Sequence, residues 1–361
     1  MNEANSWLFY EPGKQLVQQK LNLPKPGVGE VLVKNTACTI CKSDLHTFTG
    51  ARSGPVPSIL GHEIVGNIVE TGGQVFDYFG ELLRPGDLVT WSLVASCGKC
   101  RNCKNGIPQK CLSLKKYGHE KTEGHFQLTG GFASHTHLYP GTAIYKLPDN
   151  LPVSLLASLN CSWATVAAAL RLAGDVKGKN VLVTGAGMLG IITLMMCKEY
   201  GAKQILVIEK NTDRLKLAGE FGADLFLPSG SESNEVKKEI IEFLDGEPVD
   251  LIFEMTGSNQ AVKLGLDVAG VGSVIIMAGS VFPTEDVQIN PERIVRNLLQ
   301  IKGVHNYIPG DLASAIHFMH RIYSRYPLEK LFDFHVFRLE KINEGVSHAL
   351  TSSKHRVVIK I

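Results

Sequence analysis

The chain has 361 residues, of which 44% are hydrophobic and 20% charged, and its formal net charge is +2. This length exceeds what a single hydrophobic core usually covers, so two domains are expected. The near-neutral charge gives no reason to expect nucleic acid or an anionic membrane as a partner.

The amino-terminal segment MNEANSWLFYEPGKQ has acidic residues and a Pro-Gly turn where a signal peptide would have an apolar run. The longest apolar stretch, Val181 to Cys197, carries three glycines and is too short for a membrane span. We therefore expect a cytoplasmic protein. In that reducing compartment, clustered cysteines point to a metal or to catalysis rather than to disulfides.

The first zone, residues 1 to about 150, contains short β-type runs. Four of them are GEVLVKNTAC, EIVGNIVET, GDLVTWSLV and ASHTHLY, separated by Gly, Pro and Asp. Short apolar runs bounded by turn residues are typical of antiparallel sheets. This zone is predicted to be an irregular, mostly β domain.

The second zone alternates apolar strands with helices. The strand-like runs are NVLVTG, QILVIE, ADLFL, VDLIFEMTG, GSVIIMAG and LLQIKGV. The segments MLGIITLMMCKEYG and NTDRLKLAGEFG read as helices, the second capped by Asn211 or Thr212. Such alternation predicts a doubly wound parallel sheet.

The fold class is therefore α/β with two domains. A Rossmann-type domain built on the parallel sheet is expected over residues 156–304, and a mostly β domain over residues 1–155 and 305–361. The final run, HRVVIKI, has no helix after it and is predicted to return to the first domain as a strand.

Four cysteines lie within the fifteen-residue segment CGKCRNCKNGIPQKC: Cys97, Cys100, Cys103 and Cys111. Four thiolates in a turn-rich loop can fill every position around a tetrahedral zinc ion, so the site would be structural. An iron–sulfur cluster also takes four thiolates, but its usual spacings differ. Reduced surface thiols or disulfides are the remaining alternatives.

A second set of metal-binding side chains is spread along the chain. The segment TICKSDLH contains Cys41, LGHEIVG contains His62, and Cys161 follows in SLNCSWATVAAAL. Alone, each has an ordinary structural explanation as a buried residue. Together, two thiolates and an imidazole form the set of a catalytic zinc with its fourth position open.

The segment VLVTGAGMLGIITLM contains Gly185, Gly187 and Gly190 in the pattern G-x-G-x-x-G, between a strand and a helix. This context indicates a dinucleotide site, with the pyrophosphate at the helix amino terminus. Glu209, at the end of the next strand, can accept both adenosine ribose hydroxyls, which favours NAD over NADP. Lys210 and Arg214 lie close enough in sequence to accommodate an extra phosphate.

Taken together, these motifs resemble the medium-chain, zinc-dependent alcohol dehydrogenases. TICKSDLH, GHE, PGD at 85–87, the four-cysteine loop and the nucleotide fingerprint stand in the family's order. The resemblance implies a GroES-like catalytic domain, NAD as cofactor, and two zinc ions per subunit, one catalytic and one structural. It also implies a homodimer or homotetramer formed through the cofactor domains.

The resemblance further assigns roles to particular residues. Cys41, His62 and Cys161 would ligate the catalytic zinc, Asp44 would hydrogen-bond to His62, and Glu63 would be a nearby carboxylate able to exchange onto the metal. Arg214 would lie near the adenosine ribose. Arg356 is assigned either a phosphate contact or a surface salt bridge. Cys38 is interpreted as a strand residue and Cys197 as buried on a helix.

The implied reaction is hydride transfer from an alcohol to the nicotinamide. Zinc makes the anion of a bound oxygen the better ligand and so lowers its pKa. By resemblance Ser43 accepts the alcohol proton, the cofactor ribose relays it, and His46 releases it to solvent. An imidazole suits that role because its ordinary pKa is about 6.5. A polar, water-facing His46 is the alternative.

The segments PQKCLSLKKYGHE, YPGTAIYK and LPDNLP resemble a phosphonate-catabolism subgroup of this superfamily. The small-molecule substrate would then be a hydroxy compound carrying an anionic phosphonate. Candidate cations for such a pocket are Arg52, Lys115, Lys116 and His119, and the alternative is that they are solvated charges. Two other functions stay open: a zinc-independent NADPH-dependent reductase of the same fold, and a non-catalytic zinc-bound scaffold.

Overall fold

The computed structural model describes residues 3–229 and 233–361. Within these ranges the chain forms two compact units. One contains the residues up to Ala164 together with Ile308–Ile361, and the other is Thr165–Tyr307. The first unit extends beyond the predicted limit at residue 155 and includes the turn that carries Cys161. No helix in the described ranges is long and apolar enough to cross a bilayer.

In chain order the strands are β1 (Glu3–Phe9), β2 (Val17–Asn22), β3 (Val31–Ile40), β4 (Ser58–Ile59), β5 (Glu63–Thr71), β6 (Leu88–Ala95), β7 (Lys115–Lys116), β8 (His135–Leu138), β9 (Thr142–Lys146), β10 (Asn180–Thr184), β11 (Gln204–Glu209), β12 (Leu225–Pro228), β13 (Val249–Glu254), β14 (Ala269–Met277), β15 (Gln300–Gly303), β16 (Phe332–Arg338) and β17 (Arg356–Lys360).

The helices are α1 (Lys42–Thr49), α2 (Arg101–Lys104), α3 (Val153–Ala157), α4 (Ala164–Ala173), α5 (Met188–Glu199), α6 (Thr212–Glu220), α7 (Ser233–Phe243), α8 (Asn259–Val268), α9 (Pro291–Arg296), α10 (Pro309–Ile322) and α11 (Ile342–Thr351). A π-helical turn covers Leu159–Trp163, and 3₁₀ turns cover Pro108–Lys110, Leu328–Leu331 and Leu339–Lys341.

The first unit is built on a mostly antiparallel sheet with the strand order β16–β17–β3–β5–β6–β7, in which β8 also pairs with β3 and β9 with β6. A small sheet of β2, β1 and β4 lies in the same unit. The last strand, β17, pairs antiparallel with β3 so that Val357 lies opposite Ile40. The prediction that HRVVIKI returns to the first domain is confirmed.

The core of the first unit is formed by large side chains from its strands and from the segments next to them. Trp91, Tyr117 and Phe132 are almost fully enclosed, together with aliphatic residues of β3 and β5. Burial of this apolar area stabilises the strands by roughly 25 cal/mol per Å². This packing fixes the end of β3, which Cys41 follows, and the start of β5, which His62 precedes.

The second unit is a parallel sheet with the order β12–β11–β10–β13–β14–β15. Its central strand β10 is buried along its whole length, as expected for a strand covered on both faces. Helix α6 is capped by Asn211, whose side chain accepts hydrogen bonds from the N–H groups of Asp213 and Arg214. The predicted combination of a mostly antiparallel domain and a parallel-sheet domain is confirmed.

Candidate active site and metal centres

Cys41 lies at the junction of β3 and α1, where it is the amino-terminal cap of the helix. Asp44, in the first turn of α1, accepts a hydrogen bond from the Cys41 N–H at 3.0 Å. The same carboxylate accepts from the Gly61 N–H at 3.2 Å and contacts Nδ1 of His62 at 2.9 Å. One buried carboxylate therefore organises the backbone beside Cys41 and the ring of His62.

Gly61 permits the turn that presents His62. Its φ is +85°, a conformation that side chains with a Cβ rarely adopt. A Cβ at this position would also lie 2.6 Å from the ring of Phe132 and 3.0 Å from Sγ of Cys38. Since Nδ1 of His62 faces Asp44, its Nε2 is the nitrogen available to a metal.

Cys161 lies in the π-helical turn Leu159–Trp163, a rare geometry that is frequent at functional sites. Its neighbour Asn160 is buried, and the Asn160 amide donates to the carbonyl oxygens of His62 and Trp91, each at 3.1 Å. These two hydrogen bonds attach the turn to β6 and to the segment that contains His62. As a result, Sγ of Cys161 lies 3.3 Å from Nε2 of His62.

The structure brings the three expected ligands together with Glu63. The potential ligand atoms of Cys41, His62, Glu63 and Cys161 all lie within 4.8 Å of one another. Around a tetrahedral zinc with bonds of about 2.0–2.3 Å, neighbouring ligand atoms are about 3.6 Å apart. The donor types and their spacing therefore fit a zinc ion.

Glu63 is buried and paired with Arg356 through two hydrogen bonds, each 2.7 Å long, and also accepts one from Thr39. Nη2 of Arg356 lies 3.5 Å from Sγ of Cys41. The expectation of a surface salt bridge for Arg356 is wrong, because β17 carries this residue into the core beside the ligand set. Burial raises the pKa of Glu63 to about 7, although Arg356 opposes that rise.

The three ligands differ in how readily they lose a proton, because the hydrogen bond with Cys41 and burial raise the pKa of Cys161 well above its usual value. The hydrogen bond from Cys161 lowers the pKa of Cys41 well below its usual value, and the Arg356 charge acts in the same direction. Burial lowers the pKa of His62, but the Asp44 carboxylate outweighs this and raises it to about 10. A metal must therefore displace protons from this site, so its affinity is pH-dependent.

Ser43 and His46, the expected proton-relay residues, both lie on α1 and are half-buried. The Ser43 carbonyl accepts a hydrogen bond from Nη2 of Arg52 at 3.1 Å. Burial, followed by the charge of Arg52, lowers the pKa of His46 below 6.5. His46 is therefore neutral near pH 7 and able to accept a proton.

Three of the four candidate cations lie beside the ligand set. Nη2 of Arg52 contacts Nε2 of His119, and the His119 ring centroid is 5.4 Å from that of His62. Burial lowers the pKa of Lys116, as does the charge of Arg52, whereas the charges of Cys161 and Cys41 oppose this. Burial also lowers the pKa of His119 well below its usual value, so Arg52 and Lys116 supply the positive charge at this surface. We call Arg52, Lys116 and His119 the cationic wall.

Lys115 does not belong to the cationic wall. Its ammonium is half-exposed, lies 3.2 Å from Glu120 and stands over the ring of Tyr139. The alternative interpretation of Lys115 as a solvated charge is the one that fits its surroundings.

The four-cysteine loop gathers its thiols into a separate cluster. Sγ of Cys100 lies 3.5 Å from that of Cys103 and 3.9 Å from that of Cys111, too far for a disulfide. Thiolates around a tetrahedral zinc are about 3.8 Å apart, given bonds of about 2.3 Å. Hydrogen bonds from the N–H groups of Lys99 and Cys100 lower the pKa of Cys97 to about 6. The cluster fits a zinc with no open position.

In the second unit, Gly185 and Gly187 lie between β10 and α5, with Gly187 as the helix cap, and Gly190 lies in the first turn of α5. Gly185 has a φ of +92°, and a Cβ on Gly190 would lie 1.7 Å from the Gly185 carbonyl oxygen. Both positions therefore require glycine. A Cβ on Gly187 would meet nothing within 4 Å. This open space above a helix amino terminus is suited to a pyrophosphate.

Glu209 ends β11 and is almost completely buried. One of its oxygens accepts from the Ala186 N–H at 2.7 Å, and the other accepts from the Asn211 N–H at 2.9 Å. Each carboxylate oxygen has a second lone pair for a ribose hydroxyl. Arg214 is half-buried on α6 near the Asn211 cap.

Two family models match the chain. "Alcohol dehydrogenase GroES-like domain" matches residues 27–149 and "Zinc-binding dehydrogenase" matches residues 189–321, which together make up more than half of the chain. The chain belongs to the medium-chain zinc-dependent alcohol dehydrogenase superfamily. The predicted oxidoreductase class is thereby confirmed.

Relatives of this alcohol dehydrogenase superfamily member support the assignment. An L-threonine 3-dehydrogenase of Pyrococcus furiosus is 34% identical over 281 residues, which make up 76% of this chain and 74% of that protein. The crystal structure of an alcohol dehydrogenase from Thermotoga maritima has a TM-score of 0.93 and 30% identity, with 99% of each chain covered. An alcohol dehydrogenase from Escherichia coli CFT073, complexed with NADH, has a TM-score of 0.85 and 25% identity, with 100% of each chain covered.

The motifs of this dehydrogenase do not predict the role of Asn160 or the buried position of Arg356. A polar residue next to Cys161 in an otherwise apolar helical segment is a signal that could have identified Asn160. For Arg356 the sequence has no comparable signal. Cys38 lies in β3 and Cys197 in α5, both fully buried, so their interpretation as structural residues is confirmed.

Proposed function

We propose that this dehydrogenase interconverts a small alcohol and its aldehyde or ketone by hydride transfer with NAD, at a zinc ion held by Cys41, His62 and Cys161. The observation that carries the proposal is the convergence of these three donors. Two cysteines and one histidine are the protein ligands of catalytic zinc in alcohol dehydrogenases, where one position is left for substrate. The zinc, when bound, supplies Lewis-acid polarisation of a substrate oxygen.

The protein side chains supply orientation and proton movement. Asp44 fixes the His62 ring so that Nε2 is its free nitrogen. Arg356 donates a hydrogen bond to each carboxylate oxygen of Glu63, and these bonds keep Glu63 from being a permanent ligand of the metal. We propose that the Ser43 hydroxyl takes the alcohol proton and that the neutral His46 imidazole passes it to solvent.

For the cofactor, we propose NAD bound at Gly185, Gly187 and Gly190, with Glu209 on the adenosine ribose and Arg214 beside it. The almost completely buried carboxylate of Glu209 supports this, because it would repel a 2′-phosphate. The NADH complex of the Escherichia coli relative is consistent with the proposal.

For the substrate, we propose a small hydroxy compound with an anionic group, of which a hydroxyphosphonate is the first candidate. The support is the cationic wall, where Arg52 and Lys116 place positive charge beside the ligand set. The name of the Pyrococcus furiosus relative favours L-threonine as a second candidate, since its carboxylate also needs a cation.

We also propose a structural zinc at Cys97, Cys100, Cys103 and Cys111, which gives two zinc ions per subunit for these two sites. The reduced thiols of both sets fit the cytoplasm.

A homodimer or homotetramer is proposed through β15, the last strand in the order of its sheet. Val271, Val295 and Leu298, near that edge, are more than two-thirds exposed, as an interface requires.

Steady-state kinetics test these proposals. NAD and NADP are each combined with 2-hydroxyethylphosphonate, L-threonine and a neutral alcohol of matched size. We expect NAD reduction with a higher kcat/KM for an anionic substrate. Equal or better turnover of the neutral alcohol would contradict the proposal that the substrate carries an anionic group. Zinc-independent NADPH oxidation with an activated double bond would favour the reductase alternative, and failure to bind any nicotinamide cofactor would favour the scaffold.

A further inference from the structure

A third group of metal-binding side chains lies in the first unit, apart from both cysteine sets. Glu30 immediately precedes β3, His137 lies on β8, and His125 lies in the loop before β8. Oε2 of Glu30 is 2.9 Å from Nε2 of His125 and 2.8 Å from Nε2 of His137. The three potential ligand atoms lie within 4.8 Å of one another.

Strand pairing and ring packing fix this arrangement. His137 lies opposite Leu32 in the β3–β8 pair, and its side chain is fully buried. The ring of Phe126 stacks on His137 with centroids 4.7 Å apart, and the rings of His125 and His137 meet edge to face at 4.9 Å. In both rings Nε2 is therefore the nitrogen that faces Oε2 of Glu30.

Hydrogen bonding alone accounts poorly for this geometry. Oε2 of Glu30 also accepts from the Gly27 N–H at 2.8 Å, so three nitrogen atoms crowd one oxygen that has two lone pairs. Nδ1 of the buried His137 ring makes no hydrogen bond of normal distance and angle with the described residues. If a cation bound the lone pairs of the two Nε2 atoms, both rings would be metal ligands and would no longer compete as donors for one oxygen. The Glu30 carboxylate would then be the third ligand of the same cation.

We propose that Glu30, His125 and His137 form a third metal site that binds a divalent transition-metal ion such as Zn²⁺ or Co²⁺. Two imidazoles and one carboxylate are donors that these ions accept. The side chain of His125 is 51% exposed, so water can fill the remaining positions. The site does not rest on the proposed function, because none of its ligands belongs to the catalytic or structural cysteine set.

A metal here would tie the loop before β8 to the main sheet. That loop also contacts the chain near β4, through the isolated pair of Lys121 with Ser58 and a hydrogen bond from the Thr122 N–H to the Pro57 carbonyl oxygen at 2.7 Å. The same segment starts next to His119, a member of the cationic wall. Since an ion that binds only the folded state stabilises it, occupancy should raise the melting temperature.

Zinc binding by the untagged protein tests the site. Equilibrium dialysis is performed with the wild type, His125→Ala and Glu30→Gln, with His135→Ala as the matched control, since His135 lies on β8 but outside every metal set. We expect the wild type and His135→Ala to bind one more equivalent than the other two. In His125→Ala the dissociation constant of that equivalent should rise more than about tenfold. Loss of a residue that only hydrogen-bonds to a metal ligand already lowers affinity by about 10–100-fold, and loss of a ligand itself should cost no less.

Cobalt spectroscopy gives a second test that uses only the wild type. Ions bound by the cysteine sets produce intense sulfur-to-cobalt charge-transfer bands, whereas an ion bound by imidazole and carboxylate produces none. We expect one Co²⁺ equivalent to bind without such a band. Equal zinc stoichiometry and affinity in the wild type and His125→Ala would overturn the proposal, as would a charge-transfer band for every bound cobalt.

Discussion

Asp44 and His62 form a buried hydrogen bond of 2.9 Å between a carboxylate oxygen and Nδ1 of the ring. The bond fixes which ring nitrogen faces Cys41 and Cys161. Partners of this kind raise the basicity of a ligating imidazole and hold its orientation. Asp44 also holds the Cys41 backbone, so two ligands depend on one side chain.

Replacement of Asp44 should therefore weaken the catalytic metal site. Asp44→Asn is expected to lower zinc affinity there by about 10–100-fold, the usual effect of losing such a partner. Competition with a chromophoric chelator measures this. Asp77→Asn is a suitable control, because Asp77 is also buried and bonded to backbone N–H groups but lies outside the metal sets. Equal zinc affinity in the wild type and Asp44→Asn would contradict the assignment.

Asn160 should stabilise the fold around the same site. Asn160→Ala removes the donor for two carbonyl oxygens, those of His62 and Trp91. A buried acceptor left without its partner costs about 1–3 kcal/mol, so we expect a loss of that order in the free energy of unfolding. Urea denaturation measures it, with Asn259→Ala as the control because Asn259 donates to an exposed carbonyl. An unchanged unfolding free energy would remove Asn160 from this role.

Much of the fold is predictable from sequence because it follows local patterns. The apolar run before Gly185 predicts β10, and the glycine spacing with the following apolar segment predicts α5. The sequence predicts Asn211 or Thr212 as the cap of α6, and the Asn211 side chain makes the capping hydrogen bonds. These signals lie within a few residues of the feature that they predict.

The rest depends on contacts between distant positions. Arg356 pairs with Glu63 across 293 positions, and His137 meets Glu30 across 107. The first contact needs the pairing of both β17 and β5 with β3, and the second needs the pairing of β8 with β3. The π-helical turn at Cys161 likewise has no local sequence pattern that predicts it.

Lys116 should determine the preference for anionic substrates. Lys116→Gln is expected to raise KM for an anionic substrate about tenfold or more, since a hydrogen bond to a charged group contributes roughly 1.5–3 kcal/mol. KM for a neutral alcohol should not change. Lys115→Gln is the matched control, because the adjacent ammonium pairs with Glu120 instead. An equal effect of the two substitutions would contradict the cationic wall.

The pH dependence of KM for the anionic substrate should reflect the titration of the Lys116 ammonium. Burial and the charge of Arg52 place the pKa of Lys116 below its usual value. An ammonium is charged below its pKa, so the attraction to an anion is lost as pH rises through that pKa. KM for the anionic substrate should therefore increase at alkaline pH, earlier than an exposed lysine would cause. Lys116→Gln should flatten this increase, and an identical profile in the variant would exclude Lys116.

Glu209 should set the cofactor preference. Glu209→Ala removes a carboxylate that repels a 2′-phosphate, so the ratio of kcat/KM for NADP to that for NAD should rise about tenfold or more. Assays with both cofactors at several concentrations measure the ratio. Glu239→Ala, on the exposed surface of α7, serves as the control. If the ratio stays at the wild-type value, Glu209 does not contact the ribose.

The central claim is that Cys41, His62 and Cys161 bind one zinc ion. An anomalous difference map at the zinc absorption edge, from crystals of the purified protein, tests it most directly. We expect a peak about 2.3 Å from both sulfur atoms and about 2.0–2.1 Å from Nε2 of His62, separate from the peak in the four-cysteine loop. A map of zinc-replete protein with no peak among these three residues would contradict the claim.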